Sequence, residues 1–417
     1  MSTELHPFRK LPELAQYKKG DVLVLFGELF ARGYANGIVD EATRAGLTVV
    51  RSTVGRRGDD GKLRPLTEEE SAAIPKPFIN VPLEAGFDLE PADDGTTPIQ
   101  QVAGIKLNDW ESAKVDFAKL EQSRARGVKR FQANTQAYMK ELEKIIPKGA
   151  NVIFLHMMAG GLPRTKVIMP AMNRVVKGTG DRHVASEKFW NSDLGKLAAM
   201  SFEEVTANTF KTLLEESAPL RQKIEKEGGT ARYLAYGYHG TEVMIRGEYR
   251  WQSYSPYLQG WAKLKLENFA EQAWKSGIKA TVYNCPEILT NSSNIFVGVE
   301  VPLYPFIQAL KKEAPELASA KATVEKCKSL LKPEVSFEDL QNFTDKTLMS
   351  EELQRRSIFE KWPQHNAKDQ METLIAAADT ITNCVQLPVR GIATFRRGPS
   401  APLWPEPQTN ATLSSRL

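Results

Sequence analysis

Tyr254 and Lys263, with eight residues between them, are the side chains whose types and spacing best suit proton transfer. A lysine ammonium close to a phenol stabilises the phenolate and lowers the pKa of the phenol, which can then donate a proton or stabilise an oxyanion. Nine residues of regular helix would turn the two side chains to opposite sides of the helix. The two side chains can therefore meet only if the tyrosine lies ahead of the helix. Ser255 and Pro256 are typical of an N-cap and a first helical position, which predicts that Tyr254 lies in a loop before the helix. The alternative is a structural tyrosine near a surface lysine, because this spacing often arises by chance.

The elements around this pair are predicted from apolar patterns on both sides of it. Residues 233–238 and 278–283 are short apolar runs, typical of strands buried in a parallel sheet. Between them, apolar residues recur at three- and four-residue steps and predict one buried helix face, formed by Leu258, Ala262, Leu266, Phe269 and Ala273. Gly277 is expected to end this helix as its C′ residue. A polar turn at residues 290–293 follows the second strand, at the edge where open α/β sheets bind ligands.

The N-terminal part of the chain predicts one βαβ unit with glycines in its first turn. Residues 21–26 form a continuous apolar run, and residues 47–51 form a second strand after a helical stretch. The turn carries Gly27, Gly33 and Gly37, and amides at the N-terminus of the following helix can bind a pyrophosphate. The alternative is a turn that needs glycine only for its backbone freedom.

The residues after the second strand favour NADPH over NADH. The sequence there supplies cations and a hydroxyl, at Arg51, Ser52, Arg56 and Arg57. An NAD-selective dehydrogenase usually has an acid at this place for the ribose hydroxyls, whereas cations suit a 2′-phosphate. The alternative is a solvated loop, in which charge runs of this kind are common, and NADH stays the second candidate.

A further buried strand is predicted at residues 150–155. The small residues that follow, up to Gly160 and Gly161, let a flat ligand such as a dinucleotide approach closely. His156 is predicted to be a packed residue at the strand end rather than an acid or base. Parallel strands that alternate with helices predict an α/β fold, a Rossmann-type doubly wound parallel sheet.

The chain is expected to have four parts. They are an N-terminal arm (1–20), a Rossmann-type NAD(P)-binding catalytic domain (21–300), a helical substrate-covering extension (301–385) and an irregular C-terminal tail (386–417). The boundaries follow from the end of the strand pattern near residue 300 and from the prolines after residue 385.

Composition excludes several other classes of protein. With 55 Lys and Arg against 51 Asp and Glu in 417 residues, the formal net charge of +4 is too small to favour nucleic-acid binding. No apolar run approaches the ~20 residues needed to span a bilayer, and the N-terminus has no signal-type apolar segment. Cys285, Cys327 and Cys384 lie far apart, which predicts neither a metal site nor a disulfide framework and favours a reducing cytoplasm.

Several of these features occur in the order of one known family. Tyr254 and Lys263, the turn at residues 290–293 and the Val-Pro-Leu-Tyr sequence at 301–304, which opens a helix ending in Lys-Lys-Glu, follow one another as in that family. The Val-Ile-Phe at 152–154, in the strand predicted at residues 150–155, and the Gly-Tyr-Ala at 33–35 are also in register. Over about residues 20–380 the chain resembles the large single-chain enoyl-acyl-carrier-protein reductases with Tyr-x8-Lys spacing and the related trans-2-enoyl-CoA reductases.

This resemblance implies roles for individual residues. Tyr254 would be the active-site proton donor, Lys263 a cofactor-binding group beside it, and Tyr238 a tyrosine that contacts the substrate. Together with the glycine turn and the arginine run, the predicted cofactor-binding residues are Gly27, Gly33, Tyr34, Ala35, Arg51, Ser52, Arg56, Met158, Ala159, Lys263, Ile288, Leu289 and Thr290. An apolar face with Leu303, Phe306 and Ile307 would line a slot for an acyl chain, unless it belongs to an ordinary core helix. No metal is expected.

The implied reaction is reduction of the C2=C3 double bond of a trans-2-enoyl thioester in fatty acid synthesis. NAD(P)H would deliver hydride to the β-carbon of a substrate carried by acyl carrier protein or coenzyme A, and Tyr254 would stabilise the enolate. The resemblance also suggests a monomer. The glycine turn is longer than in the family and has Ala35 in place of the last glycine, and both differences affect the expected binding position of the cofactor. Two alternatives remain, a reductase of ketones or other non-acyl substrates and a non-catalytic nucleotide-binding protein.

Overall fold

The computed structural model describes residues 17–30, 35–176, 188–237, 240–245, 248–254, 258–284, 318–354 and 368–386. Between them it describes residues 301, 304, 307–308, 311–312 and 315–316. The strands are β1 (Val22–Glu28), β2 (Thr48–Thr53), β3 (Arg56–Arg57), β4 (Leu63–Arg64), β5 (Phe78–Pro82), β6 (Val152–His156), β7 (Ala231–Gly237), β8 (Gly240–Ile245), β9 (Glu248–Tyr254) and β10 (Lys279–Asn284).

The helices flank these strands along the chain. They are α1 (Ala35–Arg44), α2 (Glu68–Ser71), α3 (Pro98–Val102), α4 (Phe117–Glu143), α5 (Ile168–Val176), α6 (Asp193–Phe202), α7 (Thr209–Glu216), α8 (Ala218–Lys226), α9 (Leu258–Lys275), α10 (Ala318–Ser329), α11 (Phe337–Leu348), α12 (Glu351–Gln354) and α13 (Lys368–Cys384). A 3₁₀ turn spans Leu107–Asp109, and a π-helical segment, Glu203–Asn208, joins α6 to α7. Gly277 has a φ of +81° directly after α9, as expected of a C′ glycine.

Six strands form one sheet in the order β10-β7-β6-β1-β2-β5, and every neighbouring pair is parallel. If these six strands alone are numbered 1 to 6 along the chain, their order across the sheet is 3-2-1-4-5-6, which is the order of a doubly wound nucleotide-binding sheet. The predicted fold class is therefore confirmed. The strand order reverses between β1 and β6. Ligands bind at this switch point in open α/β sheets, outside the carboxyl ends of the strands.

The two faces of the sheet are covered by different helices, which explains why the strands are apolar throughout. Val24 and Phe26 of β1 pack in one cluster with α4, α7 and α9, whereas Leu23 and Leu25 pack with α1 on the opposite face. Because both faces are buried, β1 reads as a continuous apolar run without alternation.

The chain between β7 and α9 differs from the prediction. Instead of a loop ending at Tyr254, the structure has an antiparallel hairpin, in which Gly240 of β8 is paired with Tyr254 of β9. The prediction of a tyrosine-bearing loop was therefore wrong. The sequence contains only part of the signal for a hairpin, because Arg246 and Gly247 separate two runs that carry β-branched and aromatic residues but are not a pair typical of hairpin turns. Tyr254 still precedes the helix, which begins at Leu258.

Described residues between Val301 and Val385 form an apolar cluster of their own. Val301, Tyr304 and Ile307 are fully or almost fully buried in it, against side chains of α10, α11 and α13. The four-part division of the chain remains a prediction, and the N-terminal arm and the C-terminal tail lie almost entirely outside the described residues.

Candidate active site

The carboxyl end of β1 approaches the end of β6 very closely at Gly27. This glycine has a φ of +121°, and a Cβ added to it would lie 3.2 Å from Cγ of Met158. The buried Ser52 hydroxyl accepts a hydrogen bond from the Gly27 amide (3.1 Å) and lies 2.6 Å and 2.8 Å from the carbonyl oxygens of Leu25 and Gly27. Ser52 therefore fixes the end of β1 from within the sheet. Its contact with a cofactor remains a prediction.

The loop after β6 has one side against a helix and one side open. A Cβ on Gly161 would lie 2.3 Å from the Ser201 carbonyl oxygen, whereas a Cβ on Gly160 would meet nothing within 4 Å. Ala159 is exposed, and Met158 is buried behind it. The open side at the switch point can therefore admit a flat ligand, which fits the predicted dinucleotide.

The arginines after β2 are engaged with carboxylates. Arg56 donates two hydrogen bonds to Glu28, of 2.9 Å and 3.0 Å, and Arg57 bridges Glu84 and Glu90. Burial raises the pKa of Glu28, but hydrogen bonds from Arg56 and Thr53 outweigh this effect and hold the pKa below its ordinary value. The carboxylate is therefore charged at neutral pH and holds Arg56 at the end of β1.

Arg51 differs from the other two arginines. It lies half-buried in β2, where burial lowers its pKa, and the hydrogen bond from its guanidinium to the Val49 carbonyl is 3.4 Å long.

Lys263 lies in the second turn of α9 and points at the sheet. Lys263 is buried, with only 5% of its surface exposed. Its Nζ donates a hydrogen bond to the carbonyl oxygen of Tyr236, near the carboxyl end of β7. Lys263 is therefore directed inward, although its role remains a prediction. The ammonium is thereby fixed beside the sheet edge that carries the switch point.

His156, the last residue of β6, is uncharged. Burial, and then the positive charge of Lys263, lower its pKa well below the ordinary value. Its Nε2 lies 2.8 Å from the Thr209 hydroxyl, which itself donates to the Val205 carbonyl, so Nε2 carries the proton. The ring stacks on Phe26 and meets the edge of Phe210. The prediction of a packed histidine is in line with this arrangement.

The remaining predicted site residues are described in part, away from the sheet edge, or not at all. Tyr254 is placed by its backbone as the last residue of β9, and its side chain is not described. Ala35 begins α1 and is buried, and Ile307 is fully buried in the cluster with α10, α11 and α13. The remaining residues fall outside the description altogether, namely Gly33, Tyr34, Tyr238, Ile288, Leu289, Thr290, Leu303 and Phe306.

The π-helical segment was not predicted from the sequence. Its Glu203 pairs with Lys265 of α9, its Glu204 pairs with Arg124 of α4, and its Thr206 bonds to Gly160. The sequence gives no local signal for it, because the burial of the polar residues Glu204 and Thr206 is seen only in the structure.

Two classes of feature are absent from the described part of the chain. No group of three or more His, Cys, Asp or Glu side chains there could hold a metal ion. None of the helices described is long and apolar enough to cross a membrane.

Residues 4–389 match the family model of the enoyl-acyl carrier protein reductase FabMG. A solved apo structure of FabMG is 47% identical in sequence, with a TM-score of 0.82, over 93% of this chain and 89% of that one. An NADH-bound structure of FabMG is 39% identical, with a TM-score of 0.64, over 97% of each chain. The chain matches no curated protein significantly.

Proposed function

The chain belongs to the FabMG family of enoyl-acyl carrier protein reductases, and on that premise we propose how its own residues serve the reaction. It is an NAD(P)H-dependent oxidoreductase of fatty acid synthesis that reduces the C2=C3 double bond of an enoyl thioester. When bound, the dinucleotide supplies the hydride for the β-carbon. Negative charge then develops on the thioester oxygen, and the chain must stabilise it.

Tyr254 and Lys263 stabilise that oxygen and supply the proton. The observation that carries this proposal is the position of Lys263, a buried ammonium held by the Tyr236 carbonyl on the helix that begins four residues after Tyr254. An ammonium so placed favours the phenolate and lowers the pKa of a nearby phenol, which strengthens it as a hydrogen-bond donor. A donor aimed at an oxyanion contributes about 3–4 kcal/mol to the barrier difference.

The dinucleotide binds over the switch point between β1 and β6. Gly27, Ala159 and Gly160 support this location, because each lies at the carboxyl end of one of these strands and the last two leave open space. Met158 forms the buried floor below them. Lys263 is proposed to lie at the nicotinamide end of the site, which its hydrogen bond near the end of β7, on the same edge of the sheet, supports.

NADH is the proposed cofactor. The arginine run predicted NADPH, but two of its three arginines are neutralised, Arg56 by Glu28 and Arg57 by Glu84 and Glu90. A 2′-phosphate would have to compete with these carboxylates, whereas the ribose hydroxyls of NADH would not. The NADH in one of the similar FabMG structures supports the same choice.

The substrate is proposed to be carried by acyl carrier protein rather than coenzyme A, in keeping with the family description. Tyr238 is proposed to contact its thioester, and Leu303 and Phe306 to contact its acyl chain. A cytoplasmic location and a monomeric state remain predictions, which rest on the cysteine pattern and on the family resemblance.

Deuterium transfer tests the reaction directly and separates it from ketone reduction. The enzyme is mixed with NADH deuterated at the transferable position and with a trans-2-enoyl thioester, on carrier protein or on coenzyme A, or with a 3-ketoacyl thioester. Mass spectrometry of a saturated product with one deuterium at C3 supports the proposal. Deuterium found only in a 3-hydroxyacyl product would instead assign the site to carbonyl reduction.

A further inference from the structure

The π-helical segment lies where the loop after β6 meets the helices. A π turn accommodates an extra residue in a helix and therefore changes the direction of the side chains around it. Three polar side chains of this segment reach three different parts of the chain. Glu203 reaches α9, Glu204 reaches α4, and Thr206 reaches the loop after β6.

The contact made by Thr206 is a double hydrogen bond to a single glycine. Its hydroxyl accepts from the Gly160 amide at 3.2 Å and donates to the Gly160 carbonyl at 2.7 Å. Thr206 is fully buried, so water does not compete for this hydroxyl. Both polar groups of Gly160 are thereby held in one orientation, with a φ of +110° that glycine alone adopts readily.

The orientation of Gly160 decides which side of the loop is open. The next residue, Gly161, is pressed against the backbone of Ser201, whereas the Cα of Gly160 faces open space. A rotated Gly160 peptide would direct its carbonyl or amide into that space and obstruct a flat ligand. The double hydrogen bond therefore selects the conformation in which the open side is available.

We propose that Thr206 is a positioning residue for the dinucleotide, which holds the Gly160 peptide so that the loop after β6 is preformed for binding. This inference rests on the proposed NADH site over the switch point. The apparent dissociation constant of a ligand rises as the fraction of the binding-competent conformation falls. Losing both hydrogen bonds should reduce that fraction to a tenth or less, and the dissociation constant of NADH should rise by about tenfold or more.

Three variants test the proposal. Thr206→Val keeps the shape of the side chain but removes both hydrogen bonds, and Thr206→Ser keeps the hydroxyl. Thr135→Val is the matched control, because Thr135 is equally buried but donates only within α4, to the Phe131 carbonyl at 2.9 Å. The readouts are the dissociation constant of NADH from fluorescence titration and the separate values of KM and kcat.

The expected result is a rise of about tenfold or more in the Kd and KM for NADH in Thr206→Val, larger than any change in kcat. Thr206→Ser should restore binding to within about threefold, and Thr135→Val should bind NADH as the wild type does. Wild-type affinity in a folded Thr206→Val variant would overturn the inference. If the wild type itself fails to bind NADH, the proposed function fails instead.

A measurement on the wild type covers the case in which Thr206→Val does not fold. Hydrogen exchange resolved to single residues should show the Gly160 amide protected in the absence of NADH, because it donates to the hydroxyl of the buried Thr206. Exchange of this amide at the rate of a free loop would overturn the proposal as well.

Discussion

The two glycines after β6 offer a paired test of how this loop is packed. Gly160 and Gly161 have nearly the same backbone conformation, with φ of +110° and +109°. Alanine at either place therefore has a similar backbone penalty, of roughly 1–3 kcal/mol. Only at Gly161 would the new methyl group overlap other atoms, 2.3 Å from the Ser201 carbonyl oxygen and 2.9 Å from the Phe202 Cα.

The difference between Gly160→Ala and Gly161→Ala isolates that overlap. Relief requires the end of α6 to move away from the loop, and overpacking of this kind typically costs a further 1–3 kcal/mol or so. Gly161→Ala should therefore lower the free energy of unfolding by about 1–3 kcal/mol more than Gly160→Ala does.

Urea unfolding followed by both tryptophan fluorescence and circular dichroism measures this difference, provided that the two signals give the same transition. Equal losses of stability in the two variants would refute the description of Gly161 as pressed against α6. A larger loss in Gly160→Ala would refute it more strongly, since the Cα of that residue faces open space.

Three further predictions concern charged groups. Lys263→Met should lower kcat/KM about hundredfold in steady-state assays, because the phenol loses the cation that lowers its pKa, and an unchanged value would exclude the proposed role. Glu28→Gln should release Arg56 and raise the ratio of kcat/KM for NADPH to that for NADH by roughly tenfold. The same ratio in Glu143→Gln, which breaks a surface ion pair with Lys223 instead, is the control, and equal ratios in both would contradict the proposal. The pKa of His156 is lowered in the folded chain, so the unfolded chain takes up the extra proton and stability falls as the pH drops below about 6.5, by ~1.4 kcal/mol per pH unit. His156→Gln should remove this contribution to the slope of the free energy of unfolding against pH, measured between pH 7 and pH 5. An unaltered slope would show that His156 is charged in the folded state.

The parallel sheet was predictable because burial on both faces leaves a local signal. β1, β6, β7 and β10 all begin within three residues of their predicted positions, since each is a short apolar run of the kind that a doubly covered strand requires. The Rossmann-type strand order then follows from right-handed crossovers between strands and helices.

The hairpin and the π-helical segment were missed for different reasons. The hairpin was missed because the stretch before Tyr254 was predicted to be a loop and because Arg246 and Gly247 are not a pair typical of hairpin turns. The π turn is set by tertiary partners, since Glu203, Glu204 and Thr206 bond to three separate segments that are distant in sequence. No local periodicity encodes such partners.

The candidate site also has some features that the sequence could predict and others that it could not. Lys263 was found from its spacing to Tyr254 and from the family resemblance, whereas its burial and its bond to the Tyr236 carbonyl required the structure. The partner of Arg56 was not predictable, because Glu28 lies on another strand and the sequence alone does not show which carboxylate a cation meets. The prediction of NADPH was based on the arginines without these partners.

The most direct test of the central claim is turnover of NADH with a trans-2-enoyl thioester on acyl carrier protein, comparing the wild type with Tyr254→Phe and Tyr249→Phe. Tyr249 is the matched control, because it lies on the same strand, β9, opposite Met244. We expect Tyr254→Phe to lower kcat about a hundredfold or more while the dissociation constant of NADH stays near that of the wild type. Tyr249→Phe should turn over normally. Wild-type turnover by Tyr254→Phe would contradict the assignment of Tyr254 as the proton donor.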